Sequence, residues 1–395
     1  MLGKKLDLLS RRNVLLGGSA LGLSACVDAG GGITTTSNDG PLTNPNQTTR
    51  IGLLVPDGSG DANFTNLAGN FVRAAEMALG AMPAAKIEMR TYATGAQPST
   101  AAGAAQRALS EGAKLLVGPL LGQNAIEVGR VAASRNVNVL TFSNNPDVAG
   151  GNVITLGNSV NIGADRLIGM ASARGFKSLS VVTTNNAAGE SAVTAARQAA
   201  SRAGVSFNGA YRYALSPDGV RSAMPGIAAQ IAGNGSNAIL LSADFSTFLT
   251  QIADGLAGAG LTGERAKLLG LTRWDIPSTT LSNTGLQGGW FPIPDGRAIA
   301  GFNAAFTQTY GGAPHPLAGI AYDGVIAVAT LLTEGNRGAL QRSQLSRAQG
   351  FRGSAGAFRI LPNNTTQRVL SVAEVNQGTF RIISNAASGF STATS

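Results

Sequence analysis

Residues 112–145, GAKLLVGPLLGQNAIEVGRVAASRNVNVLTFSNN, decide the fold. They predict a strand over 113–117, a turn at Gly118-Pro119, a helix over about 124–135 and a second strand over 137–142. Both strands are nearly continuous apolar runs that include β-branched residues, a pattern typical of strands covered on both faces of a parallel sheet. The helix between them would then form a right-handed crossover.

Two loops that are polar or expose backbone groups follow these strands. Gly118-Pro119-Leu120 comes after the first strand, and Ser143-Asn144-Asn145 comes after the second. In open α/β sheets the ligand crevice lies beyond the carboxyl ends of the strands. The loops offer backbone and neutral polar groups but no reactive side chain, so they predict a binding edge.

The same alternation of strands and helices continues from residue 50 to about residue 385. Two βα series of more than a hundred residues each, followed by a returning tail, predict an α/β fold with two lobes. Each lobe would hold a mostly parallel sheet flanked by helices, and a ligand would sit between the lobes. The expected boundaries are 50–157 plus about 292–340 for the first lobe, 158–291 plus about 341–385 for the second, and 386–395 for a tail.

The N-terminal residues 1–25 have the pattern of an export signal. A basic region contains Lys4, Lys5, Arg11 and Arg12, and the apolar run that follows is too short to span a membrane. Its end, Leu23-Ser24-Ala25-Cys26, resembles a bacterial lipobox, which implies lipidation of Cys26. This is the only cysteine, and lipidation accounts for a lone thiol in an exported protein. The alternative is an ordinary signal peptide in which Cys26 simply follows small residues.

The export route and the tether are also indicated by this region. Residues 10–16 resemble a twin-arginine motif, although Val14 and Leu16 stand where aromatic and basic residues are usual; a Sec signal is the alternative. Residues 26–49 are rich in Gly, Thr, Ser, Asn and Pro, which predicts a flexible tether between lipid and fold. Val27 after the cysteine favours the outer membrane over the inner one under enteric-type sorting.

The charge pattern argues against nucleic acid as a partner. The chain has a net charge of +9, of which residues 1–25 carry +3 (four basic groups and Asp7), so about +6 remains without them. Charged residues make up 13% of the chain, below the roughly 25% of typical proteins. Its arginines are scattered rather than clustered among aromatic residues.

The sequence offers little to catalysis, metals or cofactors. His315, between Pro314 and Pro316, is the only histidine, and no G-x-S-x-G motif accompanies it. One histidine and one cysteine cannot form a zinc site. The G-x-G-x-x-G spelling at 258–263 follows a predicted helix and precedes a strand, the reverse of a dinucleotide site. We therefore expect no enzyme activity and no cofactor, and we expect His315 to be a loop residue.

Several stretches resemble type I periplasmic binding proteins of the leucine/isoleucine/valine-binding class, over essentially all of 50–385. These landmarks are residues 51–56 (IGLLVP), 112–119 (GAKLLVGP), 321–324 (AYDG), 351–356 (FRGSAG) and 376–380 (NQGTF). The resemblance implies a ligand-binding protein. Binders of free amino acids usually carry a hydroxyl residue just after the Gly-Pro turn, whereas this chain has Leu120-Leu121-Gly122-Gln123. Leaving a ligand carboxylate without that bond would cost roughly 1–3 kcal/mol.

A closer resemblance is to the penicillin-binding protein activator lipoproteins of Gram-negative bacteria. It is carried by residues 142–145 (FSNN) with 148–150 (VAG), 185–189 (NNAAG), Trp274-Asp275 and 288–291 (GGWF). It implies an envelope lipoprotein that stimulates a peptidoglycan synthase by direct contact. The alternative is a solute receptor for an ABC importer, with a branched-chain amino acid or a similar small polar ligand.

The candidate cleft residues lie at or just beyond predicted strand ends, except Asp323, whose inclusion rests on the resemblance. They are Asp57, Ser59, Leu120, Gln123, Ser143, Asn144, Asn145, Asn185, Asn186, Asp244, Trp274 and Asp323. Asn, Asp and Ser also favour turns and helix caps without any ligand, which is the alternative for most of the set. For Trp274 the alternative is a core position.

Overall fold

The computed structural model describes residues 39–157, 160–243, 246–263 and 265–390 of the chain. The predicted export signal, the predicted lipidation site at Cys26 and most of the predicted tether lie outside the described residues. Asp244, a predicted cleft residue, lies outside them as well. No helix in the described ranges is long and apolar enough to cross a membrane.

The first lobe is a five-stranded parallel sheet in the order β2-β1-β3-β4-β5. Its central strands are fully buried, as their apolar sequence predicts. The helix predicted over 124–135 is confirmed as α3, which begins and ends two residues earlier than predicted. The elements in chain order are β1 (Thr49–Val55), α1 (Ala62–Ala81), β2 (Ile87–Ala93), α2 (Pro98–Ser110), β3 (Leu115–Val117), α3 (Gly122–Ala133), β4 (Asn138–Thr141) and β5 (Val153–Thr155).

The second lobe continues the alternation of helices and parallel strands. One strand of it, β10, was not predicted, since Pro292 and the flanking glycines favour a turn. The elements are α4 (Val160–Ala173), β6 (Ser178–Thr184), α5 (Ala187–Ala203), β7 (Ser206–Tyr213), α6 (Pro217–Asn234), β8 (Ala238–Leu241), α7 (Ser246–Gly258), β9 (Lys267–Gly270) and β10 (Trp290–Ile293).

The C-terminal part of the chain returns to both lobes. Its elements are α8 (Gly296–Tyr310), α9 (Ala318–Thr333), α10 (Arg342–Leu345), β11 (Phe351–Gly353), β12 (Gly356–Ile360), β13 (Thr366–Arg368), β14 (Ser371–Asn376) and β15 (Thr379–Ser384). β14 and β15 complete the second sheet, in the order β15-β14-β10-β9-β8-β6-β7, and they run antiparallel. β11, β12 and β13 form a separate antiparallel sheet.

The boundary near residue 341 differs from the sequence-based expectation. We expected 341–385 in the second lobe, but Leu345, Phe351 and Phe358 are buried in one cluster with Ile51 of β1. The apolar residues of this stretch pack on the first lobe, and only β14 and β15 join the second sheet. We therefore propose that residues 296–368 belong to the first lobe.

The chain crosses between the lobes three times, as the element order requires. The crossings follow β5, β10 and β13, near residues 157–160, 294–295 and 369–370. The first two crossings begin at the carboxyl ends of β5 and β10, and so lie at the edge where the parallel strands of each sheet end. This arrangement sets the position of the cleft.

Candidate functional site

A cavity of about 620 Å³ lies at the carboxyl edge of the second sheet. Residues at or just after the ends of its parallel strands line it: Thr184 ending β6, Tyr213 ending β7, Ser242 after β8, Thr272 after β9 and Pro294 after β10. Asn144, in the loop after β4, contributes from the first lobe. Chain topology alone brings these distant residues together, because parallel strands end at one edge.

Apolar side chains form much of the cavity wall. Val160 and Ile162 come from the first turn of α4, Phe248 from α7, and Leu271 and Pro292 from the ends of β9 and β10. Such a wall removes the apolar part of a ligand from water, which stabilises binding by about 25 cal/mol per Å² buried.

Arg273 is the charged residue that lines the cavity in the described part of the chain. Its Nε donates to Oδ1 of Asp275 at 2.9 Å, and its Nη2 donates to Oδ2 of the same carboxylate. The Asp275 side chain is only 9% exposed and the Arg273 side chain 37%. This bidentate pair fixes the plane of the guanidinium, and Nη1 has no acceptor among the described residues.

Several neutral polar groups of the cavity are held by local hydrogen bonds. Thr184 Oγ1 donates to Asn186 Oδ1 at 2.8 Å, and that oxygen also accepts from the Gly189 backbone at 3.0 Å. Thr272 Oγ1 donates to the Ala243 carbonyl at 3.0 Å. The amide nitrogen of Asn186 makes no hydrogen bond within the described structure, so its donors remain available to a ligand.

Two of the predicted cleft residues, Asn144 and Asn186, line this cavity. Asn185 is exposed beside it, and its backbone N–H donates to the Tyr213 carbonyl at 3.0 Å. Ser143 is buried and accepts from the Asn145 backbone at 3.2 Å, while Asn145 accepts from the Asp147 backbone at 3.0 Å. These last two residues build the loop that carries Asn144.

The remaining first-lobe candidates lie at the edge of their own sheet and do not line the cavity. Asp57 accepts from Thr65 Oγ1 at 3.0 Å, and Ser59 accepts from the Asp61 backbone at 3.2 Å. Leu120 and Gln123 flank the start of α3, whose N-cap Leu121 has no side-chain hydrogen bond. The turn and cap alternative describes Asp57 and Ser59.

Trp274 is a core residue rather than a cleft residue. It is 1% exposed and stacks on Phe291 with ring centroids 5.9 Å apart. Gly270 and Gly289 make room for its indole, since a Cβ at Gly270 would lie 2.2 Å from the ring. Trp274 was predicted to face the cleft because it follows a strand end, but its side chain points into the core of the second lobe.

Asp323 is also not a cleft residue. It is 1% exposed and forms an ion pair with Arg368, with Oδ2 and Nη1 2.5 Å apart. Its other oxygen accepts from the Ser354 backbone at 2.6 Å. Arg368 also donates to the Leu156 carbonyl at 3.1 Å. The carboxylate thus joins α9 to the small sheet of β11–β13 and to the end of β5.

The cavity residues that the sequence analysis missed fall into two groups: one could have been found from its position at strand ends, and the other could not. Thr184, Ser242, Thr272 and Arg273 follow strand ends, so the rule that selected Asn186 also reaches them. Ile162 and Phe248 are apolar residues on helices, and sequence periodicity does not separate a cavity wall from a core. His315 lies in the loop before α9 as predicted, and its Nδ1 accepts from the Leu317 backbone at 3.1 Å.

The fold and this cavity define a two-lobed ligand-binding protein. Residues 48–379 match the family model described as periplasmic binding protein, so the chain belongs to that family. It is a class of proteins that bind ligands rather than transform them. A comparison with characterised protein sequences finds no match. In the described ranges no group of His, Cys, Asp or Glu could hold a metal ion.

Solved structures show the same fold at low sequence identity. A putative branched-chain amino acid ABC transporter protein from Rhodospirillum rubrum has a TM-score of 0.72 and 17% identity, covering 85% of this chain and 100% of its own. An ABC transporter substrate-binding protein from Desulfitobacterium hafniense, in complex with Leu, has a TM-score of 0.60 and 16% identity, covering 85% of this chain and 100% of its own. A solute-binding protein from Rhodopseudomonas palustris, in complex with 3,4-dihydroxybenzoic acid, has a TM-score of 0.56 and 16% identity, covering 86% of this chain and 96% of its own.

At 16–17% identity these structures show that the fold is shared, and no more. The comparisons give no support to the penicillin-binding protein activator function or to a peptidoglycan synthase as partner. The family indicates the periplasm as the location of the protein.

Proposed function

We propose that the protein is a solute receptor that captures a small ligand between its lobes and delivers it to an ABC importer. The observation that supports this proposal is the cavity at the carboxyl edge of the second sheet, with its apolar wall and convergent polar groups. Its volume of about 620 Å³ lies within the roughly 300–1,000 Å³ of small-molecule sites.

The lining favours a ligand with an apolar body and a carboxylate. The apolar wall suits the body, and the free edge of the Arg273 guanidinium suits a carboxylate, which arginine binds with paired hydrogen bonds. Leucine and 3,4-dihydroxybenzoic acid, the ligands of two relatives, both have a carboxylate beside an apolar part. In this chain the carboxylate would be held from the second lobe, since Leu120 and Leu121 replace the hydroxyl usual in the first.

Ligand capture would use the three crossings as a hinge. In this structure the first lobe contributes Asn144 to the cavity, and closure of the lobes would bring the loops after β1 and β3 toward the ligand. The periplasmic site of action and an anchor at Cys26 complete the proposal: a tethered receptor stays near its importer at a raised effective concentration.

Thermal unfolding of the purified chain against leucine, isoleucine, benzoate and 3,4-dihydroxybenzoate tests the proposal. A ligand present at a hundred times its Kd should add about 2.7 kcal/mol to the folded state. Arg273→Gln should remove most of that gain. The matched control is Arg130→Gln, an exposed arginine that pairs with Glu127 on α3. A flat response across the panel, or equal gains in Arg273→Gln and the wild type, would contradict this account.

A further inference from the structure

A second cavity, of about 700 Å³, shares a wall with the cavity at the carboxyl edge of the second sheet, which we call the cleft. Ile162 and Leu370 line both cavities, and they belong to the first and third crossing regions. The second cavity is lined on one side by α4, α5 and the end of β15, and on the other by residues 359–368 around β12 and β13. We call it the hinge crevice.

Arginines dominate the charge of the hinge crevice. Arg166, Arg202, Arg359 and Arg368 line it, and Asp165 is the carboxylate that lines it in the described part of the chain. Arg202 is paired with Asp165, 2.5 Å apart, and Arg368 is paired with the buried Asp323. Arg166 and Arg359 have no carboxylate partner in the described chain, so about two positive charges remain uncompensated.

Arg166 is held in position by neutral oxygens alone. Its Nε donates to the Leu370 carbonyl at 2.7 Å, and its Nη2 donates to Ser384 Oγ at 2.6 Å and to the Asn385 carbonyl at 3.3 Å. Burial lowers the pKa of this guanidinium, because desolvation disfavours its charged form. These bonds orient the side chain without cancelling the charge, and Nη1 makes no hydrogen bond in the described structure.

Arg359 is held in a comparable way from the first lobe. Its Nε donates to Gln367 Oε1 at 2.8 Å and its Nη1 donates to the Ala348 carbonyl at 3.4 Å. Its guanidinium lies over the Phe390 ring, 4.5 Å from the centroid. Thr365, Thr366 and Gln367 add neutral polar groups to the same wall.

We propose that the hinge crevice binds a small multivalent oxyanion, carboxylate or phosphate, between Arg166 of the second lobe and Arg359 of the first. Such an anion supplies the charge that neither arginine finds within the described chain, at a partly desolvated place where the interaction is strengthened. Because its partners come from both lobes, a bound anion holds their separation. The shared wall of Ile162 and Leu370 then couples its occupancy to the cleft. This proposal does not depend on the identity of the cleft ligand.

Thermal unfolding of the full chain in sodium pyrophosphate and in sodium citrate, against sodium chloride at equal ionic strength, tests the site. The two anions distinguish a phosphate site from a carboxylate site. We expect a saturable rise in Tm with at least one of them, and at least tenfold weaker half-saturation in Arg359→Gln and Arg166→Gln. Arg221→Gln, an exposed arginine paired with Asp218 on α6, is the matched control and should keep the wild-type response.

Equal responses in all four proteins, or no saturable rise with either anion, would overturn the proposal. Arg359→Gln keeps the test informative if Arg166→Gln does not fold, because Arg359 contacts lie at the surface. Hydrogen exchange with pyrophosphate or citrate bound gives a second readout. Protection should rise in both 160–170 and 359–370, and protection confined to one of these segments would contradict a bridge between lobes.

Discussion

Asp323 shows how a residue can match a family landmark and yet have a structural role in this chain. Its carboxylate is buried, bound to Arg368 and to the Ser354 backbone, and close to Gly353, where a Cβ would lie 2.4 Å from Oδ1. A buried charge pair of this kind costs desolvation, so its main effect is to fix which surfaces meet. Here it fixes β11 and β13 against α9.

Removing one partner of this pair should destabilise the protein strongly. Asp323→Asn leaves the Arg368 guanidinium buried without a counter-charge, and we expect a loss of about 3–5 kcal/mol in the free energy of unfolding, measured in urea. Asp218→Asn breaks the exposed Arg221 pair and should change that free energy by less than about 1 kcal/mol. Similar losses in the free energy of unfolding for both variants would show that the Asp323–Arg368 pair is no more important to stability than an exposed ion pair.

At the scale of the elements, sequence periodicity was sufficient for the long helices and for the parallel strands β1 to β9. It was insufficient for β10, β11 and β13, which are only three or four residues long; β10 also contains a proline and β11 a glycine. The strand-end rule located the binding edge, since topology alone fixes where parallel strands end. It could not select the side chains, because Trp274 and Arg273 are neighbours of which only one faces the cavity.

Glu374 joins four strands of the second sheet through side chains that sequence patterns do not reveal. Trp290 Nε1 of β10 donates to its Oε2 at 2.9 Å, Arg381 of β15 lies 2.7 Å from its Oε1, and Lys267 of β9 lies 4.0 Å away. Burial raises the pKa of the Glu374 carboxyl, but the hydrogen bonds from Trp290 and Arg381 outweigh it and lower the pKa below 4.5.

This lowered pKa predicts a dependence of stability on pH at the acid end. A carboxyl group with a depressed folded-state pKa contributes stability above its unfolded value of 4.5, and that contribution is lost as the pH falls through the folded value. Denaturant unfolding at intervals from pH 7 to pH 3 should therefore show a shallower loss in Glu374→Gln than in the wild type. Glu127→Gln, on the exposed face of α3, is the matched control for removing a carboxylate. Parallel curves for Glu374→Gln and the wild type would contradict the assignment.

At the scale of the whole molecule, the buried residues divide into separate clusters for the two lobes. Ile51, Phe71 and Phe358 belong to one cluster of the first lobe, whereas both tryptophans of the chain lie in clusters of the second. The lobes are connected by three crossings beside the cleft and the hinge crevice. Domains with separate cores can unfold in separate steps. Tryptophan emission should therefore report the unfolding of the second lobe, whereas far-UV circular dichroism should report the unfolding of both lobes.

This division predicts which core substitutions tryptophan emission will detect. Phe358→Ala should cost the first lobe about 3–5 kcal/mol, as large-to-small substitutions in a core do, and should leave the urea midpoint of tryptophan emission unchanged. Phe71→Ala, in α1, should behave in the same way, whereas Ile252→Ala, in the core of the second lobe, should lower that midpoint. If Phe358→Ala lowers the emission midpoint and Phe71→Ala does not, residues 341–368 belong to the second lobe after all. If all three lower it equally, the two lobes unfold as one cooperative unit in spite of their separate cores.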